Sequence, residues 1–164
     1  MRTLRLYVRV ILLATTTLWM GGCWRADSDK SWQLETWDPV SRQTHTITAA
    51  DVDHKWLVIN YWAEWCKPCR EEIPKLNHFA TAHRDTVLVA GFNFDNIAGD
   101  ALQTSASHVG ITYPVLSSNP AKIFTLPDVD GLPTTLILDA HGHLKTQLQG
   151  PQTFHSLEAA ISTL

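Results

Sequence analysis

Asn60-Tyr-Trp-Ala-Glu-Trp-Cys66-Lys-Pro-Cys69-Arg-Glu-Glu72-Ile-Pro74 joins two periodicities, and the joint decides the architecture. On its N-terminal side, Trp56–Trp62 is a near-continuous apolar run of β-formers, the pattern of a strand buried on both faces. On its C-terminal side the period changes. From Pro68 to His83 the positions Cys69, Ile73, Leu76, Ala80 and His83 recur at intervals of three and four, which predicts a helix with one inward face. Pro74 falls inside that helix, where its ring removes a backbone bond and predicts a kink.

Cys66 therefore sits where a buried strand hands over to a helix. The first-turn N–H groups of a helix lack intrahelical partners, and the dipole is positive there. An anion is stabilised at that point, so the Cys66 thiol is expected to ionise below its usual ~8.5, somewhere in the roughly 3.5–7.5 range. Cys69 lies one turn later and faces inward. The expectation is an exposed attacking thiolate at Cys66 and a resolving thiol at Cys69. Lys67 adds a positive charge of the helpful sign, and Pro68 presets φ in the first turn.

The chain has three Cys in 164 residues. One close pair is not a disulfide scaffold, and a four-Cys zinc site is excluded by count. The pair is either a redox couple or half of a metal site. Eight His (45, 54, 78, 83, 108, 141, 143 and 155) are scattered without ligand spacing, so no metal site is expected. Arg70 and Glu71 read as a solvated helix face, and Glu64 as exposed ahead of the motif.

Working outward, Trp32–Trp37 and Thr44–Thr48 alternate weakly around Asp38-Pro39 and predict an N-terminal hairpin. Thr86–Phe94 is a second buried strand. Gly99–Val109 reads as a helix ending at Gly110, Ile111–Leu116 as short and extended, and Pro120–Leu126 as a short helix. Thr134–Asp139 is a third core strand, paired with Leu144–Gln149 through a turn at Ala140–His143. Phe154–Leu164 closes the chain as an amphipathic helix. Strands separated by helices imply a central parallel pair with an antiparallel edge. The fold class is α/β with a mixed sheet.

The motif quoted at the outset resembles the active-site signature of thioredoxin-like proteins, and more narrowly the TlpA/ResA branch of bacterial extracytoplasmic thiol–disulfide oxidoreductases. The branch markers are Trp-Cys-x-Pro-Cys followed by Arg70, Glu72 and Pro74. A second block, Asp130-Gly131-Leu132-Pro133-Thr134-Thr135, resembles the family's cis-proline loop. The resemblance covers about residues 34–163. The resemblance implies a thioredoxin fold: a central mixed β-sheet flanked by helices, with the N-terminal hairpin and a central helical insertion within Asn93–Pro127. It implies that Pro133 is cis and, with Leu132 and Trp65, meets the substrate. It also implies that Glu72 accepts the proton of Cys69, as a partly desolvated carboxyl of raised pKa. Asn60 stands where cytoplasmic thioredoxins keep a buried Asp, which shifts the proton role to Glu72.

Arg2, Arg5 and Arg9 precede Val10–Met20, an uncharged, mostly apolar run of 11 residues. At ~1.5 Å per residue it spans about 17 Å of a roughly 30 Å hydrocarbon core, so it reads as a secretory signal. Gly21-Gly22-Cys23 resembles the lipobox of bacterial lipoproteins, with Met20 where Leu is usual, and implies lipid attachment at Cys23. The expected organisation is a signal peptide at 1–22, a polar tether at 23–31 and one domain at 32–164. Loss of the signal leaves ten Lys and Arg against 16 Asp and Glu, a balance of −6. That balance, with no basic stripe, argues against nucleic acid as partner.

The reading that results is a monomeric, lipid-anchored, extracytoplasmic enzyme that reduces protein disulfides. It needs no cofactor beyond the Cys66–Cys69 disulfide and draws electrons from a membrane thiol-reductant pathway. The competing classes are a copper- or haem-handling chaperone on the same fold and a thiol peroxidase. Copper carriers of this fold space their Cys by three residues, whereas here the spacing is two. A peroxidase would carry a lone Cys in a Pro/Thr-rich loop, whereas Cys66 follows Ala63-Glu64-Trp65.

Overall fold

The computed structural model describes residues 32–164; the expected signal segment, Cys23 and the tether lie outside the described residues. The strands are β1 (Gln33–Asp38), β2 (Gln43–Thr48), β3 (Trp56–Trp62), β4 (Val87–Asn93), β5 (Val115–Leu116), β6 (Thr134–Leu138) and β7 (Leu144–Gln149). The helices are α1 (Lys67–Ala82), α2 (Gly99–His108) and α3 (Phe154–Ser162), with 3₁₀ turns at Ala49–Val52 and Pro120–Lys122. All seven strands form one sheet in the order β2-β1-β5-β4-β3-β6-β7. The pairs β3/β4 and β4/β5 are parallel and the others antiparallel.

β3 lies deep in the sheet because its sequence has no solvent face: Leu57 to Trp62 are all buried. Its alternate residues feed two cores. Val58 and Trp62 join Cys66, Cys69, Ile73, Leu76 and Phe79 of the α1 side, with Leu102 of α2 and Leu157 of α3. Leu57, Ile59 and Tyr61 join Trp32, Val52, Phe124 and Leu136 on the opposite face. Each large side chain buried here contributes about 1.5–3 kcal/mol, so β3 and α1 together anchor the domain.

Helix α1 continues through Pro74, whose ring lies on the exposed side of the helix. Its buried face is Cys69, Glu72, Ile73, Leu76 and Phe79. The expected face was drawn one residue too far round at its C-terminal end, since Ala80 and His83 are only half-buried. The short helix expected over Pro120–Leu126 is a three-residue 3₁₀ turn, Pro120–Lys122. Asn119 caps it by accepting from Ala121 N at 2.9 Å, and Pro127 disfavours helical backbone at Leu126. The segment read as short and extended contains β5, which pairs with both β4 and β1 and so joins the N-terminal hairpin to the main sheet.

Candidate active site

The end of β3, the start of α1 and the start of β6 converge. β3 pairs with β6 as Asn60↔Thr135 and Tyr61↔Thr134, so the loop just before Thr134 lies beside the strand end from which Cys66 departs. The Leu132–Pro133 peptide bond in that loop is cis. Thr134 Oγ1 donates to Gly131 O at 2.8 Å, and Pro133 O accepts from Gly150 N at 2.9 Å. Leu132 packs, half-buried, against both cores.

Cys66 is the N-cap of α1, with φ −76° and ψ 101°, and its Sγ accepts from Cys69 N at 3.2 Å. That contact meets one of the donors a helix leaves unsatisfied at its start. Pro68 sits in the first turn, where a missing N–H costs nothing. Cys66 and Cys69 form a disulfide with Sγ–Sγ 2.01 Å. Cys69 is fully buried, as expected, but Cys66 is only 4% exposed in this oxidised form, against the expectation of an exposed thiol. Lys67 is exposed and 3.9 Å from Glu71, an i,i+4 pair on the solvated face.

Glu72 is fully buried, a correction to the partly desolvated position expected for it. Asn60 Nδ2 donates to its Oε1 at 2.7 Å, and the backbone N–H of Gln152 donates to its Oε2 at 2.7 Å. Burial pushes the Glu72 carboxyl up, while the Gln152 N–H, the Asn60 amide and the Lys75 charge pull it down. The net result is about 7. A carboxyl poised there takes or gives a proton near neutrality. Asn60 is buried too; its Nδ2 also donates to Thr135 Oγ1 at 3.4 Å, and its Oδ1 accepts from Tyr113 OH at 3.3 Å.

Trp65 is 63% exposed. Its Nε1 donates to Asp95 Oδ2 at 2.9 Å, which holds the ring as a shelf next to Cys66. Glu64 is half-buried and not free, correcting the expectation of an exposed acid. Ser105 Oγ donates to it at 2.7 Å and His108 Nδ1 lies 2.6 Å away, and these contacts, Ser105 first, hold its carboxyl below the usual range. Both partners come from α2, so the insertion helix fastens the loop that carries the motif.

Sequence reasoning missed Asp95, Ser105, His108, Tyr113 and Gln152. They reach the site from 30 to 80 residues away, and none belongs to a local motif. Among the described residues, no group of three His, Cys, Asp or Glu is placed to hold a metal ion.

A thioredoxin fold with a Cys-x-x-Cys disulfide at a helix N-terminus and a buried carboxyl one turn on defines a thiol–disulfide oxidoreductase. The comparisons agree. The chain belongs to the AhpC/TSA family, whose model matches residues 30–147. It is 28% identical over 119 residues to the thiol-disulfide oxidoreductase ResA of Bacillus anthracis, covering 72% of this chain and 68% of that protein. It is 33% identical over 120 residues to the thiol:disulfide interchange protein HelX of Rhodobacter capsulatus, covering 72% and 66%. The fold is similar to that of StoA from Bacillus subtilis, with a TM-score of 0.60 at 18% identity over 79% of this chain and 94% of that one.

Proposed function

We propose that this protein is a membrane-tethered, extracytoplasmic reductase of protein disulfides. The observation that carries the reading is the buried Glu72 carboxyl, held near neutrality one helical turn beyond buried Cys69. In the dithiol form, the Cys66 thiolate attacks one sulfur of a substrate disulfide; a mixed disulfide forms and the first substrate thiolate leaves. Cys69 then passes its proton to Glu72 and attacks Cys66 Sγ, closing the Cys66–Cys69 disulfide and releasing the second substrate thiolate. Two electrons pass from enzyme to substrate, and the protons end on the substrate thiols by way of Glu72 and water. Exposed Trp65, half-buried Leu132 and the backbone around buried cis-Pro133 are what a polypeptide substrate meets, while Lys67 and Pro68 tune the pair.

The disulfide is the only redox group the cycle needs, and a membrane thiol-reductant pathway re-reduces it. The basic, short apolar N-terminal segment and Gly21-Gly22-Cys23 support export and lipid attachment at Cys23, which leaves residues 23–31 as tether to a monomeric domain at 32–164. A Cys23→Ala variant then moves to the soluble extracytoplasmic fraction; retention in the membrane overturns the anchor. The chemistry is tested by stopped-flow reduction of a model disulfide from pH 5 to 9. Glu72→Gln should slow mixed-disulfide release more than formation, by up to about 10²-fold. Superimposable profiles make Glu72 a bystander. A Cys69→Ser variant should trap polypeptide clients as mixed disulfides, which mass spectrometry then identifies.

A further inference from the structure

We infer that Tyr113 is a positioning residue for the proton step, because its buried hydroxyl fixes the Asn60 amide in the one orientation that serves an ionised Glu72. The inference rests on the proton-acceptor reading of Glu72 given above.

Tyr113 lies in the segment leading into β5 and is 3% exposed. Its hydroxyl hydrogen is given one acceptor among the described residues, Asn60 Oδ1 at 3.3 Å. A buried O–H left without an acceptor is costly, so Oδ1 is held toward Tyr113. The amide is planar, and Nδ2 is thereby turned the other way, toward Glu72 Oε1 at 2.7 Å and Thr135 Oγ1 at 3.4 Å. All three polar hydrogens of the Tyr113–Asn60 pair are then used. With the amide reversed, Nδ2 would face the phenolic oxygen, and the phenolic hydrogen would lose its acceptor.

The orientation matters because the two faces of an amide favour opposite states of a carboxyl. An N–H donor favours the carboxylate; a C=O acceptor favours the protonated acid. By excluding the second arrangement, Tyr113 opposes the desolvation that pushes Glu72 up. It keeps the carboxyl an ionised base able to accept the Cys69 proton. Tyr113 itself is held well above the usual phenol value by burial and then by the Glu72 charge, so it acts as a neutral donor throughout. The approach depends on Gly91, which pairs with Asn60 across β3 and β4. A Cβ there would meet Tyr113 Cε2 at 3.1 Å and Trp62 Nε1 at 3.1 Å.

The groups that face Glu72 are accounted for from each packed element. α1 supplies Lys75, β3 supplies neutral Asn60, the loop ahead of α3 supplies the Gln152 N–H, and the segment before β5 supplies neutral Tyr113. Tyr113 reaches the carboxyl through Asn60, by way of its hydroxyl.

The test follows the Glu72 carboxyl carbon by ¹³C NMR across pH 4 to 10 in the oxidised full chain, labelled at Glu and assigned by difference with Glu72→Gln. In Tyr113→Phe, which keeps the ring and removes only the hydroxyl, the Glu72 midpoint should rise by about half a unit to one unit. The pH profile of mixed-disulfide release should move with it. A midpoint unchanged or lowered in the folded variant overturns the inference. Should that variant fail to fold, 3-fluorotyrosine replaces the three tyrosines of the chain, giving a stronger phenolic donor. Tyr61 belongs to the core on the opposite sheet face, away from Glu72. The Glu72 midpoint should then fall, and no fall overturns the inference. The carboxyl titration is read without turnover. If Glu72→Gln leaves mixed-disulfide release untouched, the proton-acceptor reading fails by its own assay and the orientation of Asn60 is still decided here.

Discussion

Replacing Glu72 with Gln changes how folding responds to pH. In the fold, the Glu72 carboxyl titrates at about 7 against an ordinary value of 4.5. A group whose pKa is raised on folding binds its proton more tightly in the native state. Between pH 4.5 and 7 the unfolded chain has lost a proton that the native chain keeps, so stability falls as pH rises across that window. Its contribution is fully present below 4.5 and is gone above about 7. At 1.36 kcal/mol per pH unit the loss is about 3 kcal/mol, a large share of the 5–15 kcal/mol typical of a domain. Gln carries no proton to lose and stands in for the protonated acid. It still accepts from Asn60, but its amide nitrogen confronts one of the two N–H donors. The variant therefore carries a fixed cost of about 1–3 kcal/mol instead of a pH-dependent one. Urea unfolding of the oxidised protein at half-unit steps from pH 4.5 to 8 reads both terms. The parent should lose about 3 kcal/mol relative to Glu72→Gln across the series. Parallel stability curves for the two proteins would refute the burial argument.

Three further outcomes are expected. After reduction, Cys66 should be alkylated by iodoacetamide near pH 7 well ahead of Cys69, because it caps α1 while Cys69 is sealed in the core; equal rates would reverse the assigned roles. Trp65→Ala should leave the urea midpoint nearly unchanged, since the indole is 63% exposed, yet slow the reduction of a polypeptide disulfide more than that of a small one; equal slowing of both would remove Trp65 from the docking surface. Gly91→Ala should cost about 1–3 kcal/mol in thermal or urea unfolding, because the added methyl meets two buried rings at 3.1 Å and forces them to shift; a neutral result would mean that Trp62 and Tyr113 have room to shift.

The sequence carried the parts of this structure that repeat locally. The unbroken apolar run of Trp56–Trp62 has one solution, a strand covered on both sides, and β3 occupies that place. The interval of three and four from Cys69 onward located α1 and put Cys66 at its start. Two features had no local signal. A two-residue strand has no period, so the pairing of β5 with β1 and β4 could not be read from residues 111–116. Glu72 sits among exposed Arg70, Glu71 and Lys75, and nothing in that neighbourhood marks it as buried. Its partners are Asn60, 12 residues upstream, and the backbone of Gln152, 80 residues downstream. Only the assembled fold brings them to one carboxyl. Cys66 was read correctly as the helix cap, but its near-complete burial is not written in the motif.

The two outer strands of the sheet bear on how such a protein meets its clients. The margins are β2, with Gln43, Thr44, His45 and Thr46 all exposed, and β7, with Lys145, Gln147 and Gln149 along it. A bare sheet margin is a template on which any extended polypeptide can add itself as another strand, and polar or charged side chains discourage that addition. For an oxidoreductase that engages polypeptides as proposed above, this is a form of discrimination. A partly unfolded client finds both margins hydrophilic and the apolar Trp65 shelf beside the disulfide. The same residues disfavour pairing of one copy's margin with another's.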